Sequence, residues 1–265
     1  MITAKLDRAR YHIKEASQAI DNYMSTAIRL NYKMSNDKKW RVLYVQEVRD
    51  VPLEIPCIVG DALFNLRAFL DHIMMALAEK HCGLENINKK RVYFPMKENK
   101  KSFEEWKKIN KVAKQLPAGA LNTLSELKPY HNEGNKRLRT LSLLNNIDKH
   151  RYLMLTAANF QSIRLDGMLT IEDVASTENE CGNDIARDMM SLFSKLEVGY
   201  QTRQTPIHKN QEFMRYPINE TPRDADLKFQ FCLFENDIEV KPIQALLKDL
   251  DQCAEDIYEK LKEHL

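Results

Sequence analysis

The chain has 265 residues, a mass of 31.0 kDa and 43% apolar side chains, enough for a substantial core in one large domain or two small ones. Its 40 Lys and Arg nearly cancel its 38 Asp and Glu, which excludes a uniform field for nucleic acid or anionic lipid, so any such partner must meet a local patch. No run approaches the roughly 18 apolar residues that cross a bilayer, the first residues lack the apolar block of a secretory signal, and the five cysteines (Cys57, Cys82, Cys181, Cys232, Cys253) are scattered without CxxC spacing. A soluble, cytoplasmic protein with reduced, mostly packing cysteines and no membrane partner is expected.

Residues 3–34 carry Leu6, Ile13, Ala16, Ile20, Met24, Ala27 and Ile28 at spacings of three, four and seven, which predicts one long helix opened by Thr3. SNDK breaks that pattern. KWRVLYVQEV (39–48) alternates in β-branched and aromatic company and predicts a strand, with VPLEIP as its stop. Residues 57–81 are apolar on most faces and end before Gly83, a suitable glycine just past a helix end. Pro117 and Pro129 bracket a short helix with Leu121, Leu124 and Leu127, and 133–150 predicts another with Leu138, Leu141, Leu144 and Ile147.

From 152 the periodicity turns to two. YLMLTA, FQSIRLDGMLTIED with a turn at Asp166 and Gly167, EVGYQT, EFMRYPI and LKFQFCLF predict short strands, while 177–193 fits helix or strand. The segment 241–265 returns to an amphipathic helix through Ile243, Leu246, Leu247, Leu250, Ile257 and Leu261. The expected fold is α+β in a single domain, 1–265: a helical core of 1–150 plus 241–265, whose first, second and last helices pack together, and an antiparallel β section at about 152–236.

LRAFLDH (66–72) places Arg67 and His72 five apart in an apolar run. On a helix they diverge by about 140°, so one copy cannot focus both on one atom, whereas a two-fold axis could bring the stretches of two copies together. The bland alternative pairs Arg67 with Asp71 at i, i+4 and puts His72 in a polar stripe with Asp61, Asn65 and Glu79. Arg203 and His208 repeat the same spacing in a strand-and-loop segment.

The arginine-x4-histidine arrangement resembles the motif of the HEPN superfamily, with Ala68 standing where a polar residue is usual. That resemblance implies a dimeric helical bundle that gathers arginine and histidine of both protomers around an RNA phosphate. It further implies that His72 moves the proton of the attacking 2′-hydroxyl, that Arg67 holds the phosphate, and that no metal or other cofactor is needed.

LNNIDKHR (144–151) crowds a helix exit with Asn146, Asp148, His150 and Arg151, as a cap or as a polar network. GDALFNLRAFLDH, YFP (93–95), LKPY (127–130) and LNNIDKHR together resemble a family of uncharacterised bacterial proteins with the landmarks LRxxLDH, FP, QPY and NxxDKHR, over about residues 58–152 and with Lys128 in the glutamine position. The resemblance implies a shared helical core and one constellation of Arg67, Asp71, His72, Asp148, His150 and Arg151, supported by Asn65 and Asn146. Asp71, His72, Asp148 and His150 are also donors suited to a divalent metal, but no HxxxH or ExxH pair pre-aligns two of them, so no metal ligands are assigned.

The window 88–114 has ten Lys or Arg against three Glu. Lys100, Lys101, Trp106, Lys107 and Lys108 there offer charge and stacking to single-stranded RNA, against the plainer reading of a solvated helix face. No GxGxxG, GxxxxGK[ST] or GxSxG occurs. The leading expectation is a homodimeric, HEPN-like RNA-binding protein or metal-independent ribonuclease of bacterial stress or defence. Its alternatives are a non-catalytic interaction module built on a buried Arg/Asp/His network and serving a protein partner, and a metal-dependent hydrolase.

Overall fold

A computed structural model describes residues 2–83, 85–151, 153, 155–158, 163–165, 197–198, 206–218, 225–227, 229–235, 238 and 240–265. The turn expected at Asp166 and Gly167, the segment 177–193, Cys181 and Arg203 lie outside them. The protein mixes helix with antiparallel sheet, and six α-helices fall among the described residues. Contacts divide the chain into two compact units, the first made of Met1–Ala19, Leu53–Met154 and Phe234–Leu265, the second of Ile20–Pro52 and Leu155–Leu233.

In the first unit the longest helix is α2 (Glu54–Cys82), and most of its faces are buried. Leu63, Leu66, Phe69, Leu70, Ile73 and Leu77 are wholly inside, as the near-continuous apolar run demanded. It ends where Gly83 adopts φ +76°, and the glycine N–H closes onto the Glu79 carbonyl at 3.3 Å. A side chain there would strain the backbone. Against α2 pack α5 (Lys136–Asp148) and α6 (Ile243–Leu261), which also touch each other. Asn135 caps α5 by accepting from the N–H groups of Arg137 and Leu138. The same unit holds α3 (Lys100–Ile109), capped by Asn99, and α4 (Ala118–Glu126), which starts after Pro117.

The first helix, α1, spans Ala4–Ala27. Its early turns are tied to α6 by Arg10, which meets Asp251 at 3.0 Å and Glu255 at 2.9 Å. A bond of 2.9 Å from Gln244 to the Ser17 hydroxyl adds to them. The helix expected over 3–34 stops at Ala27, and Ile28–Met34 forms strand β1. The reason is local. Ile28, Leu30, Tyr32 and Met34 alternate as well as they fit a helical stripe, and the SNDK turn folds this segment back onto β2 (Trp40–Val48). In that turn the Ser35 N–H meets the Trp40 carbonyl at 2.9 Å, and Lys38 takes φ +57°. Antiparallel pairing supplies every second residue of 28–34 with backbone partners that a solvent-exposed helix end would leave to water.

In the second unit the sheet order is β1-β2-β6-β5, with β6 at Glu212–Pro217 and β5 at Glu197–Val198. Antiparallel pairing therefore is not confined to the 152–236 window: β1 and β2 come from residues 28–48. Two further pairs are β3 (Leu155–Ala158) with β8 (Gln230–Leu233), and β4 (Ile163–Leu165) with β7 (Ala225–Leu227). Val42, Leu43, Val45, Phe213 and Phe231 are buried, and Tyr23 stands edge-on to Phe231 at 5.5 Å. The Tyr23 hydroxyl donates to the Arg49 carbonyl at 2.8 Å.

Candidate functional site

One turn of α2 sets Arg67 and Asp71 side by side, and they form an ion pair of 3.1 Å between Nη2 and Oδ1. Both side chains are mostly inside, 17% and 22% exposed. Arg67 Nη2 donates to the carbonyl of Phe94 at 3.2 Å, and the Phe94 N–H donates to Asp71 Oδ1 at 2.8 Å. The pair thus grips a single peptide residue by its acceptor and its donor. Phe94 is buried in an irregular stretch, where its carbonyl also accepts from the Met96 N–H at 2.8 Å while its own N–H has no ladder or helix partner and is met by the Asp71 carboxylate. The following Pro95 has no N–H to satisfy.

Burial raises the Asp71 carboxyl above its ordinary value, opposed by Arg67, by the Phe94 N–H and then by the positive ends of His72 and Lys149. It lowers Arg67, opposed by Asp71. The guanidinium stays charged at any physiological pH. Arg67 Nη1 is buried with no hydrogen-bond partner among the described residues.

His72 takes the other side of the helix turn and is exposed. Its charge and that of Lys149, just past the end of α5, both reach Asp71, so the LDH and DKH segments converge at that carboxylate. The remaining predicted residues separate. Asn65 is buried and serves the α1–α2 contact: its Oδ1 accepts from Lys5 Nζ at 3.1 Å, and its amide donates to the Asp61 carbonyl at 2.8 Å. Asp148 lies against Gly60 of α2, so close that a Cβ there would stand 2.3 Å from Oδ1. Burial and then Asp61 push the Asp148 carboxyl up. Asn146 and His150 are exposed, and it is Asn145 that is buried.

Arg151 leaves the group altogether. Its guanidinium makes a forked bond to the buried Glu235, at 3.0 and 2.6 Å, which holds it above its usual value. The single constellation expected of Arg67, Asp71, His72, Asp148, His150 and Arg151 is therefore distributed over a clamp, a helix crossing and a separate ion pair. Among the described residues no three His, Cys, Asp or Glu side chains are grouped to hold a metal ion.

In the basic segment Lys100, Lys101 and Lys108 are exposed, while Lys107 reaches Glu104 at 2.8 Å and the Ser125 hydroxyl at 3.2 Å. Trp106, expected as a stacking platform, is instead buried and stacked on Phe103 with centroids 5.5 Å apart. The two rings lie three apart on a strongly amphipathic helix, and their apolar faces go to the core while the lysines stay in water. Sequence reasoning missed Phe94, Gly60, Lys149 and Glu235 as partners of the predicted residues. The FP landmark and the GD step before the apolar run were the signals available for the first two.

No family model, no curated protein and no solved structure matches this chain.

Proposed function

We propose that the chain is a non-catalytic interaction module, in which Arg67 and Asp71 form a structural clamp and the surface where His72 meets Lys149 faces a partner. The supporting observation is the use of both charged groups on the backbone of Phe94. Arg67 spends Nη2 on a carbonyl and a carboxylate and keeps Nη1 buried, away from a phosphate arriving from solvent. On this reading the helical core, 1–150 with 241–265, carries the landmarks, and the β section at about 152–236 is left to further partner contacts. The test is incubation of the purified protein with labelled single-stranded RNA in EDTA. No cleavage is expected, and Arg67→Ala is expected to lower the melting temperature.

The exposure of His72 beside Lys149 favours a second reading, a HEPN-like RNA-binding protein or metal-independent ribonuclease acting as a homodimer in bacterial stress or defence. There His72 moves the proton, and Lys149 supplies the cation that Arg67 withholds. RNA cleavage in EDTA that disappears in His72→Ala and Lys149→Ala, with melting temperature unchanged, replaces the first reading with this one.

A further inference from the structure

Away from the clamp, the first unit contains a cleft of about 650 Å³ between the start of α5 and the start of α6. One wall carries His131, Lys136, Arg137 and Arg139, and the other carries Ile238, Lys241 and the edge of Leu246. That volume lies within the range of small-molecule sites, and a strongly cationic wall facing a partly apolar one suits an amphiphilic anion. Lys136 and Arg139 are one helical turn apart, so they share a face. Neither side chain makes a hydrogen bond or ion pair among the described residues, whereas Arg137 is turned to Asp249 and Asp256, at 3.5 Å each. Asp249 and Glu133 also line the cleft, and Arg137 offsets the former.

The cationic wall is held before any ligand arrives. The N–H groups of His131 and Asn132 bond to the carbonyls of Lys97 and Glu98, each at 2.9 Å, and the Asn135 N–H bonds to the Lys128 carbonyl at 3.0 Å. Glu133 takes φ +59°, and a Cβ on Gly134 would stand 1.9 Å from the Tyr130 carbonyl oxygen, so only glycine allows the loop to pass so close to itself. Asn135 already occupies the first free amides of α5, which leaves anion binding to the side chains.

We propose that this cleft binds a phosphorylated small molecule of mononucleotide size, with the phosphate on Lys136 and Arg139 and the ring against Ile238 and the exposed edge of Leu246. The guanidinium fork matches two phosphate oxygens, and the ammonium adds a point charge to a third. A simple carboxylate would leave one of these cations unused. The proposal does not depend on how the clamp is read.

Calorimetric titration of the full chain with AMP, adenosine and inorganic phosphate at low salt tests it. AMP is expected to bind more tightly than phosphate, and adenosine to bind weakest. Arg139→Ala and Lys136→Ala should each weaken AMP by at least about tenfold, the scale of one lost charge-assisted hydrogen bond. Neither side chain makes an internal hydrogen bond or ion pair among the described residues, so the melting temperature should change little. As a measurement free of mutagenesis, AMP should shift the amide resonances of residues 131–140 in the wild-type protein. Binding that ignores Arg139→Ala, phosphate that binds as well as AMP, or resonance shifts located elsewhere overturns the assignment.

Discussion

Arg67 and Asp71 show how a short spacing acquires a tertiary purpose. Each is expensive to bury alone, and each is stabilised only while the other and Phe94 are present. Arg67→Ala leaves a mostly buried carboxylate without its cation, so a loss of about 2–4 kcal/mol is expected in urea unfolding. Arg67→Met with Asp71→Leu removes both charges and should recover a large part of that loss, and a double-mutant cycle with strictly additive terms would rule out the clamp. Asp148 provides the pH dependence. Its folded value is raised by burial and by Asp61, so the native chain holds that proton more tightly than the unfolded one. The resulting stability is complete below the ordinary carboxylate value of about 4 and is lost as pH rises through the raised value. Asp148→Asn, permanently neutral, should therefore gain on the wild type as pH climbs from about 4 to 7, and a gap that widens toward acid instead refutes this account.

The α2–α5 crossing is the contact that element-level patterning did not announce. Gly60 sits on a helix face where alanine is ordinarily better by roughly 0.5–1 kcal/mol, yet the carboxylate of Asp148 occupies the space of its missing side chain. Gly60→Ala should thus stabilise the protein in an Asp148→Ala background by about that amount and be neutral or harmful in the wild type, as read from melting temperatures. Equal effects in the two backgrounds would mean that the helices do not meet there. The end of α1 teaches a related lesson. Apolar positions at 24, 27 and 28 fit a helix, and those at 28, 30, 32 and 34 fit a strand, and the turn at Ser35–Lys39 decided between them by offering β2 as a partner.

At the scale of the molecule, the first unit is assembled from three separated stretches of chain. Its core closes only when α6 delivers Ile243, Leu247, Leu250, Ile257 and Leu261, all essentially inaccessible to water. Burying such a side chain is worth about 1.5–3 kcal/mol, so a chain truncated before Ile243 loses an amount comparable to the usual total stability of a domain. Circular dichroism of that truncation should show no cooperative thermal transition from the helical unit.

What the sequence alone determined are features carried by neighbours within a few residues: the burial of α2, the glycine that ends it, the β2 strand, the pairing of Arg67 with Asp71, and the amphipathic face of α6. Periodicity and i, i+4 spacing encode these, because side-chain direction along one element is set by its own geometry. The tertiary structure alone decided that Phe94 lies between Arg67 and Asp71, that Glu235 claims Arg151 and that Trp106 turns inward. Each of those outcomes depends on a partner tens of residues away or on a free choice of helix face, and local spacing places no constraint on either.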